Sequence, residues 1–202
     1  MGAVEDAIEA LRRGQPVVLP TDTVYGLCAS PDEEAAVRAL ACLKGRDEAK
    51  PIALVAADIG QLLDRIPELA GRAEAIAGAL LPGPYTLILP NPARRLRWLN
   101  TAKPDVIGVR VPVLPEPARR VVETIGPVAA TSANLAGERD PRTVADIPEA
   151  LLKRVAAVVD AGPLRGVPST VIDCSGPKPV VVREGAVPAA EALARLAGGR
   201  EQ

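Results

Sequence analysis

Histidine is absent from this chain of 202 residues, and with it go Ser-His-Asp and Cys-His hydrolases, histidine-ligated metal sites and histidine general bases. Any chemistry here runs on Lys, Arg, Thr, Ser, Asp, backbone amides and bound ions. Phenylalanine is absent too, and aromatic content is 1%. Such a core is built from Val, Leu, Ile and Ala, which favours layered α/β packing, and the stacking platforms of single-stranded nucleic-acid binders are missing. The three cysteines, Cys28, Cys42 and Cys174, show no C-x-x-C spacing and suggest neither a disulfide framework nor a zinc site. Neither sign of charge is in excess, since 24 Lys and Arg face 25 Asp and Glu. Non-specific adhesion to nucleic acid is therefore not the main work, and any RNA contact is local. No stretch approaches the roughly 18 consecutive apolar residues of a membrane span, and MGAVEDAIEALRRG at the start carries acids where a signal peptide needs bases. The expectation is a soluble protein of the reducing cytoplasm, without membrane association.

Familiar nucleotide and hydrolase signatures are also missing. There is no G-x-x-x-x-G-K-[ST], no G-x-G-x-x-G after a strand and no G-x-S-x-G. Whatever nucleotide binds does so in another way.

What is present is 48% hydrophobic residues in a pattern of alternating elements, enough for one substantial core and one domain over residues 1–202. Residues 3–13 read as an amphipathic helix stopped by Gly14. Further helices are expected over 31–45, 58–66, 68–81, 115–126, 149–155 and 189–199. Strands are expected over 16–20, 27–30, 51–57, 85–90, 106–112, 127–133, 156–162, 169–174 and 179–184. Alternation of strands with helices predicts an α/β layer architecture. The consecutive strands after residue 155 predict antiparallel pairing with one another, and so a mixed sheet.

Polar islands interrupt the apolar runs. Lys44, Arg46 and Lys50 crowd into KGRDEAK on an otherwise neutral chain, where Arg supplies a planar fork and Lys a mobile point charge. That spacing fits a triphosphate clamp and fits equally a solvated helix end whose bases complement the dipole. PTDTVYGL (20–27) and TSAN (131–134) each follow a buried strand, where open α/β sheets bind ligands, and each also reads as a side-chain-closed turn. Arg110 in VIGVRVP and Arg183 in VVVREG are more telling. An arginine in an apolar strand must reach water or find an anion, and two such arginines favour function.

Taken in order, PTDTVYGL, KGR followed by KP, GVRVP, TSAN followed by G, PSTVID (168–173) and VREG (182–185) resemble the YrdC-like family of threonylcarbamoyl-AMP synthases, in its single-domain form. The likeness runs from about residue 16 to 187. It implies an open, twisted mixed sheet flanked by helices, with a concave basic cleft. It also implies the reaction of L-threonine, bicarbonate and ATP to threonylcarbamoyl-AMP and pyrophosphate, for threonylcarbamoyladenosine modification of tRNA. By the resemblance, Lys44 and Arg46 are catalytic, and Arg46, Lys50, Ser132, Asn134 and Arg183 bind ATP. Thr23, Arg110, Thr131 and Ser169 hold threonine. Magnesium accompanies ATP, with no protein metal site and no tightly bound cofactor. The partners implied are a local tRNA contact and the proteins that transfer the threonylcarbamoyl group to tRNA. Many relatives carry Pro after the K-x-R and Asn before the later Pro, where this chain has Asp47 and Lys50, and some present a histidine at the place of Val55. Two other readings compete: an RNA-binding module without chemistry, and a carbamoyl-transfer domain acting on carbamoyl phosphate.

Overall fold

The computed structural model describes residues 2–198, so Gly199, the last residue of the final expected helix, lies outside the described residues. Helix α1 (Ala3–Arg12) buries Ala7, Ala10 and Leu11 along one stripe and carries Glu5 and Asp6 in its first turn, where they complement the dipole. Gly14 ends it at φ 70°, a conformation that glycine adopts without steric cost. Strands β1 (Val17–Pro20) and β2 (Tyr25–Ala29) form an antiparallel hairpin. The second strand begins two residues earlier than its apolar run, because the Thr21–Val24 turn is closed by Thr21 itself. Thr21 Oγ1 donates to Val24 O at 2.7 Å and accepts from the amides of Thr23 and Val24, each at 3.2 Å.

Helix α2 (Glu34–Lys44) ends at Gly45, left-handed at φ 60°, with Gly45 N and Arg46 N donating back to Cys42 O and Ala41 O. Beyond it come β3 (Ala53–Val55), α3 (Ile59–Arg65), α4 (Arg72–Leu80), β4 (Tyr85–Pro90), β5 (Val106–Arg110), α5 (Glu116–Ile125) and β6 (Val128–Ser132). The chain closes with α6 (Glu149–Leu152), β7 (Ala157–Val158), β8 (Thr170–Asp173), β9 (Val180–Arg183) and α7 (Ala189–Gly198). The helix expected over 68–81 is broken in two: Gly71 at φ 85° separates a 3-10 turn (Pro67–Leu69) from α4. The expected strands 51–57 and 156–162 shrink to three and two residues, because only those residues find a neighbour to pair with.

The nine strands among the described residues join one sheet in the order β7-β1-β2-β6-β3-β5-β4-β8-β9. Three neighbouring pairs, β1/β7, β3/β5 and β4/β8, are parallel and the rest antiparallel, so the sheet is mixed and open. The last three strands are not mutual neighbours as the sequence suggested. β7 lies at one edge, parallel to β1, while β8 and β9 pair at the other edge. The stretch from Val159 to Ser169 between them carries the chain across the sheet and is pinned on the way: Tyr25 Oη donates to Asp160 Oδ1 at 2.6 Å, and Gly166 N donates to Thr23 O.

Alternation along the strands divides the core. Val18, Leu27, Leu54, Leu87, Val109 and Ile172 pack with residues of α2, α3, α4 and α7 on one face. On the other face, Val17, Leu19, Val55 and Val128 pack with Ala7, Ala10 and Leu11 of α1 and with Ala118, Val121 and Val122 of α5. These two helices cover only the β1, β2, β6 and β3 end of that face. Over β5, β4, β8 and β9 the same face lies open, and its side chains at alternate positions line a cavity.

Candidate active site

The cavity holds about 630 Å³. Its floor is the uncovered sheet face: Ala53, Gly108 and Ala130 are small, and Thr86, Ile88, Arg110, Val171 and Asp173 rise around them. Six cations line it (Lys44, Arg46, Lys50, Lys103, Arg110 and Arg183) against two carboxylates, Asp140 and Asp173. Such an imbalance within low-dielectric walls focuses a positive field on a neutral protein.

At one end the helix α2 terminus delivers the basic motif. The Lys44 ammonium is buried and donates to Asn134 Oδ1 at 2.6 Å, to the Ser132 carbonyl and, more weakly, to Ser132 Oγ at 3.4 Å. Burial, with Arg46 beside it and Asp140 opposing, pulls its pKa from the usual 10.5 to about 8. Arg46 donates from Nη1 to Thr131 Oγ1 at 3.1 Å and from Nη2 to the carbonyls of Lys50 and Pro51, which closes the 46–51 loop. Lys50 is exposed on the cavity rim. Asp47 does not neutralise this group, since its carboxylate accepts from Ala49 N within its own turn, and Glu48 lies 3.9 Å from Arg38. Asn134 is committed to the fold: its oxygen also accepts from Ser132 Oγ at 2.6 Å and its Nδ2 donates to Glu138 O.

At the other end stand the two strand arginines. Arg110 Nη2 donates to Asp22 Oδ1 at 3.0 Å and to Thr23 Oγ1 at 3.1 Å, both in the β1/β2 turn. By register Arg110 is level with Val55 and hence with Val128, whereas that turn projects past Ser132 at the opposite end of the sheet. The sheet's twist folds these diagonal corners over one face, and this is how residues 88 positions apart meet. Burial lowers the Arg110 pKa and raises that of Asp22, each partly opposed by the other's charge, and Arg183 adds to the lowering at Arg110. Arg183 Nη2 donates to Ser169 O at 2.8 Å and reaches Ser169 Oγ at 3.4 Å. The Nε atoms of Arg46 and Arg110 are buried with no hydrogen-bond partner among the described residues, one at each end of the cavity.

Of the ten residues singled out from sequence, nine line the cavity and Thr23 does not; it is fully buried and supports Arg110 from behind. Val55 shares the cavity's face of the sheet but does not line the cavity: it is covered by α1 and α5 residues beside it. Sequence reasoning missed Asp22, Thr86, Lys103 and Gly108. Thr86 and Gly108 alternate with core residues in YTLIL and VIGVR, and that parity is the signal that points them to the opposite face. Among the described residues, no group of three or more His, Cys, Asp or Glu is placed to hold a metal ion, and no helix is long and apolar enough to cross a membrane. The Cys28 thiol, near Arg110, is pushed up to about 12 by burial and offers no nucleophile.

Comparison with known proteins gives these features a family. A threonylcarbamoyl-AMP synthase of Bacillus subtilis is 35% identical over 185 residues, covering 91% of this chain but 54% of that protein. The structure of Pyrococcus abyssi Sua5 complexed with L-threonine superposes with a TM-score of 0.83 at 34% identity, over 95% of this chain and 56% of that one. Escherichia coli YciO gives 0.82 at 29% identity, over 94% and 92% of the two chains. This chain thus spans about half the length of the Bacillus relative. The family model Sua5_yciO_yrdC, described as telomere recombination, matches residues 9–185, and the chain belongs to that family.

Proposed function

We propose that the chain forms threonylcarbamoyl-AMP and pyrophosphate from L-threonine, bicarbonate and MgATP. The observation that carries this reading is the single cavity with a cationic group at each end. Lys44, Arg46 and Lys50 suit a polyphosphate at one, and Arg110 and Ser169 suit the carboxylate of an amino acid at the other; Arg183, which the resemblance gives to ATP, is bonded to Ser169 and is assigned in this reading to the amino-acid end. The relatives named as threonylcarbamoyl-AMP synthases, and the relative crystallised with L-threonine, support the same substrates. One sheet running through the whole described chain supports treating it as one domain.

In this mechanism the threonine amine adds to bicarbonate with loss of water, giving a carbamate. A carbamate oxygen then attacks the α-phosphorus of ATP, the bond to the bridging oxygen breaks, and pyrophosphate leaves. No protein nucleophile is needed, in keeping with a histidine-free chain whose near thiol is held protonated. Catalysis is positioning and charge neutralisation. Arg46, with its buried Nε turned to no protein acceptor, and Lys50 on the rim neutralise the leaving pyrophosphate. Lys44 holds Ser132 and Asn134 in place and adds its charge from beneath. Arg110 pairs the substrate carboxylate through the donors that Asp22 and Thr23 leave free. Magnesium would enter with the triphosphate, and Asp140 and Asp173 are the carboxylates that line the cavity. The product's mixed anhydride is an activated acyl donor, and the reading places the protein in the cytoplasm upstream of transfer to a tRNA adenosine.

The test is pyrophosphate release from MgATP with bicarbonate. It should depend on threonine, and equal release without threonine would overturn the reading.

A further inference from the structure

Thr86 belongs to none of the motifs above, yet it holds a central place on the open face. Leu87 of β4 pairs with Val109 of β5, which sets Thr86 opposite Arg110. On its other side Thr86 pairs with Val171 of β8, and Val171 pairs with Arg183 of β9. A single row across four strands therefore reads Arg110, Thr86, Val171, Arg183, and all four line the cavity. An anion held between the two arginines lies over Thr86.

The hydroxyl is not free to turn. Thr86 Oγ1 lies 2.8 Å from Ser169 Oγ, while its methyl faces Gly108, where a built Cβ would come within 3.8 Å of it. Arg183 Nη2 reaches Ser169 Oγ at 3.4 Å and so occupies one of its two lone pairs. Two hydroxyl protons are shared by the pair and one of them bridges the oxygens. The other must point away from the pair. When Thr86 donates into the remaining lone pair of Ser169, the Ser169 O–H has only the cavity left to aim at.

We propose that Thr86 is a positioning residue of the amino-acid subsite: its hydroxyl orients the Ser169 O–H toward the carboxylate of the bound amino acid, between Arg110 and Arg183. This rests on the threonine-dependent activity proposed above. Threonine at this position combines a hydroxyl, held at 2.8 Å from Ser169 Oγ, with a β-branched side chain whose χ1 is restricted and whose methyl lies on the Gly108 side. Serine keeps the hydroxyl and valine keeps the shape, which separates the two contributions.

The experiment compares wild type, Thr86→Val, Thr86→Ser, Ser169→Ala and the double variant Thr86→Val/Ser169→Ala, by pyrophosphate release with threonine and ATP varied separately and by thermal melting. Loss of one neutral hydrogen-bond donor predicts that Thr86→Val raises the threonine KM about three- to tenfold, with the ATP KM and kcat within about twofold. Thr86→Ser restores most of the loss. In the Ser169→Ala background, Thr86→Val adds no further rise, because the hydroxyl it orients is gone. A threonine KM unchanged in Thr86→Val overturns the inference, as does an undiminished effect in the Ser169→Ala background. If Thr86→Val instead melts lower and raises both KM values together, its role is structural and the inference fails. Wild-type release that ignores threonine overturns the proposed function itself, an outcome distinct from all of these.

Discussion

The buried ammonium of Lys44 makes a quantitative prediction about protons. With its pKa lowered to about 8 by burial and by Arg46, the ammonium in the free protein lacks its proton in about one molecule in ten at pH 7, half at pH 8 and nine in ten at pH 9. A polyphosphate seated on Arg46 and Lys50 restores the charged form, so binding of MgATP takes up about 0.1, 0.5 and 0.9 of a proton at those three pH values. Calorimetry of MgATP binding in buffers of differing ionisation enthalpy reads this number directly as the slope of observed heat against buffer heat. Lys44→Met should lower the slope at pH 8 by about half a proton, since the nucleotide's own ionisation is the same in both experiments. Equal slopes for wild type and variant at pH 8 would refute both the depressed pKa and the placement of the polyphosphate beside Lys44.

The same shift affects stability, with a definite sign. The unfolded lysine titrates near 10.5 and the folded one near 8, so between these values the unfolded chain binds a proton that the folded chain does not. Folding free energy therefore improves as pH rises through that window, by about 3 kcal/mol at most at ~1.4 kcal/mol per pKa unit, and Lys44→Met loses the improvement. At pH 7 the variant escapes the cost of a buried charge of about 3 kcal/mol but loses bonds to Ser132 and Asn134 worth about 1–3 kcal/mol. The two nearly cancel. Melting temperature should therefore change little at pH 7 while ATP binding weakens, and urea titrations at pH 7, 8, 9 and 10 should show the stability of wild type rising relative to that of the variant, a difference in which the opposing titration of the buried Cys28 thiol, common to both, cancels.

Gly185→Ala tests the approach of the chain after β9 to the segment before β8. A Cβ there would press on Pro168 O and sit 2.6 Å from the Ser169 carbonyl, which is backbone and cannot swing aside. The expected cost is about 1–3 kcal/mol, or roughly 2–12 °C in Tm, together with weaker threonine binding as Ser169 shifts. An unchanged Tm would mean that the two segments are free to separate. Arg110→Lys keeps a cation for the buried Asp22 but removes the planar fork, so calorimetry should show threonine affinity falling about tenfold or more while ATP affinity holds. Parallel losses of both affinities would remove Arg110 from the amino-acid end.

Element types were legible because local signals were strong: Gly14, Gly45 and Gly126 end helices, and short apolar runs mark β4 and β5. Pairing was not. Whether AAVVDAG joins the strands that follow it or returns to β1 depends on contacts 140 residues apart, Val17 with Ala157 and Val18 with Val158, and no local spacing encodes them. Gly71 was visible in the sequence, but an interior glycine is tolerated in many helices. Only its left-handed conformation, with Glu74 accepting from its amide, turns it into a boundary.

The candidate site was legible to the extent that its residues are chemically out of place in their elements. Arg110 and Arg183 stand out as charges in apolar strands, and Lys44, Arg46 and Lys50 as a cluster on a neutral chain. The residues that escaped notice are those whose type suits a strand. Thr86 is β-branched and reads as ordinary strand filling, and Gly108 reads as a weak point in VIGVR. Their meaning comes from which face goes uncovered. Helices α1 and α5 occupy one half of the face that Thr86 and Gly108 share, and the half they leave bare must be lined by residues that tolerate water or await a ligand. A row with arginine at both ends, threonine and valine between them and glycine beside them leaves a hollow instead of a packed core. That hollow requires small side chains on the floor as much as it requires cations at the ends. Enlarging Gly108 to valine should therefore empty the cavity of ligand while leaving the apolar cores on either side of the sheet intact.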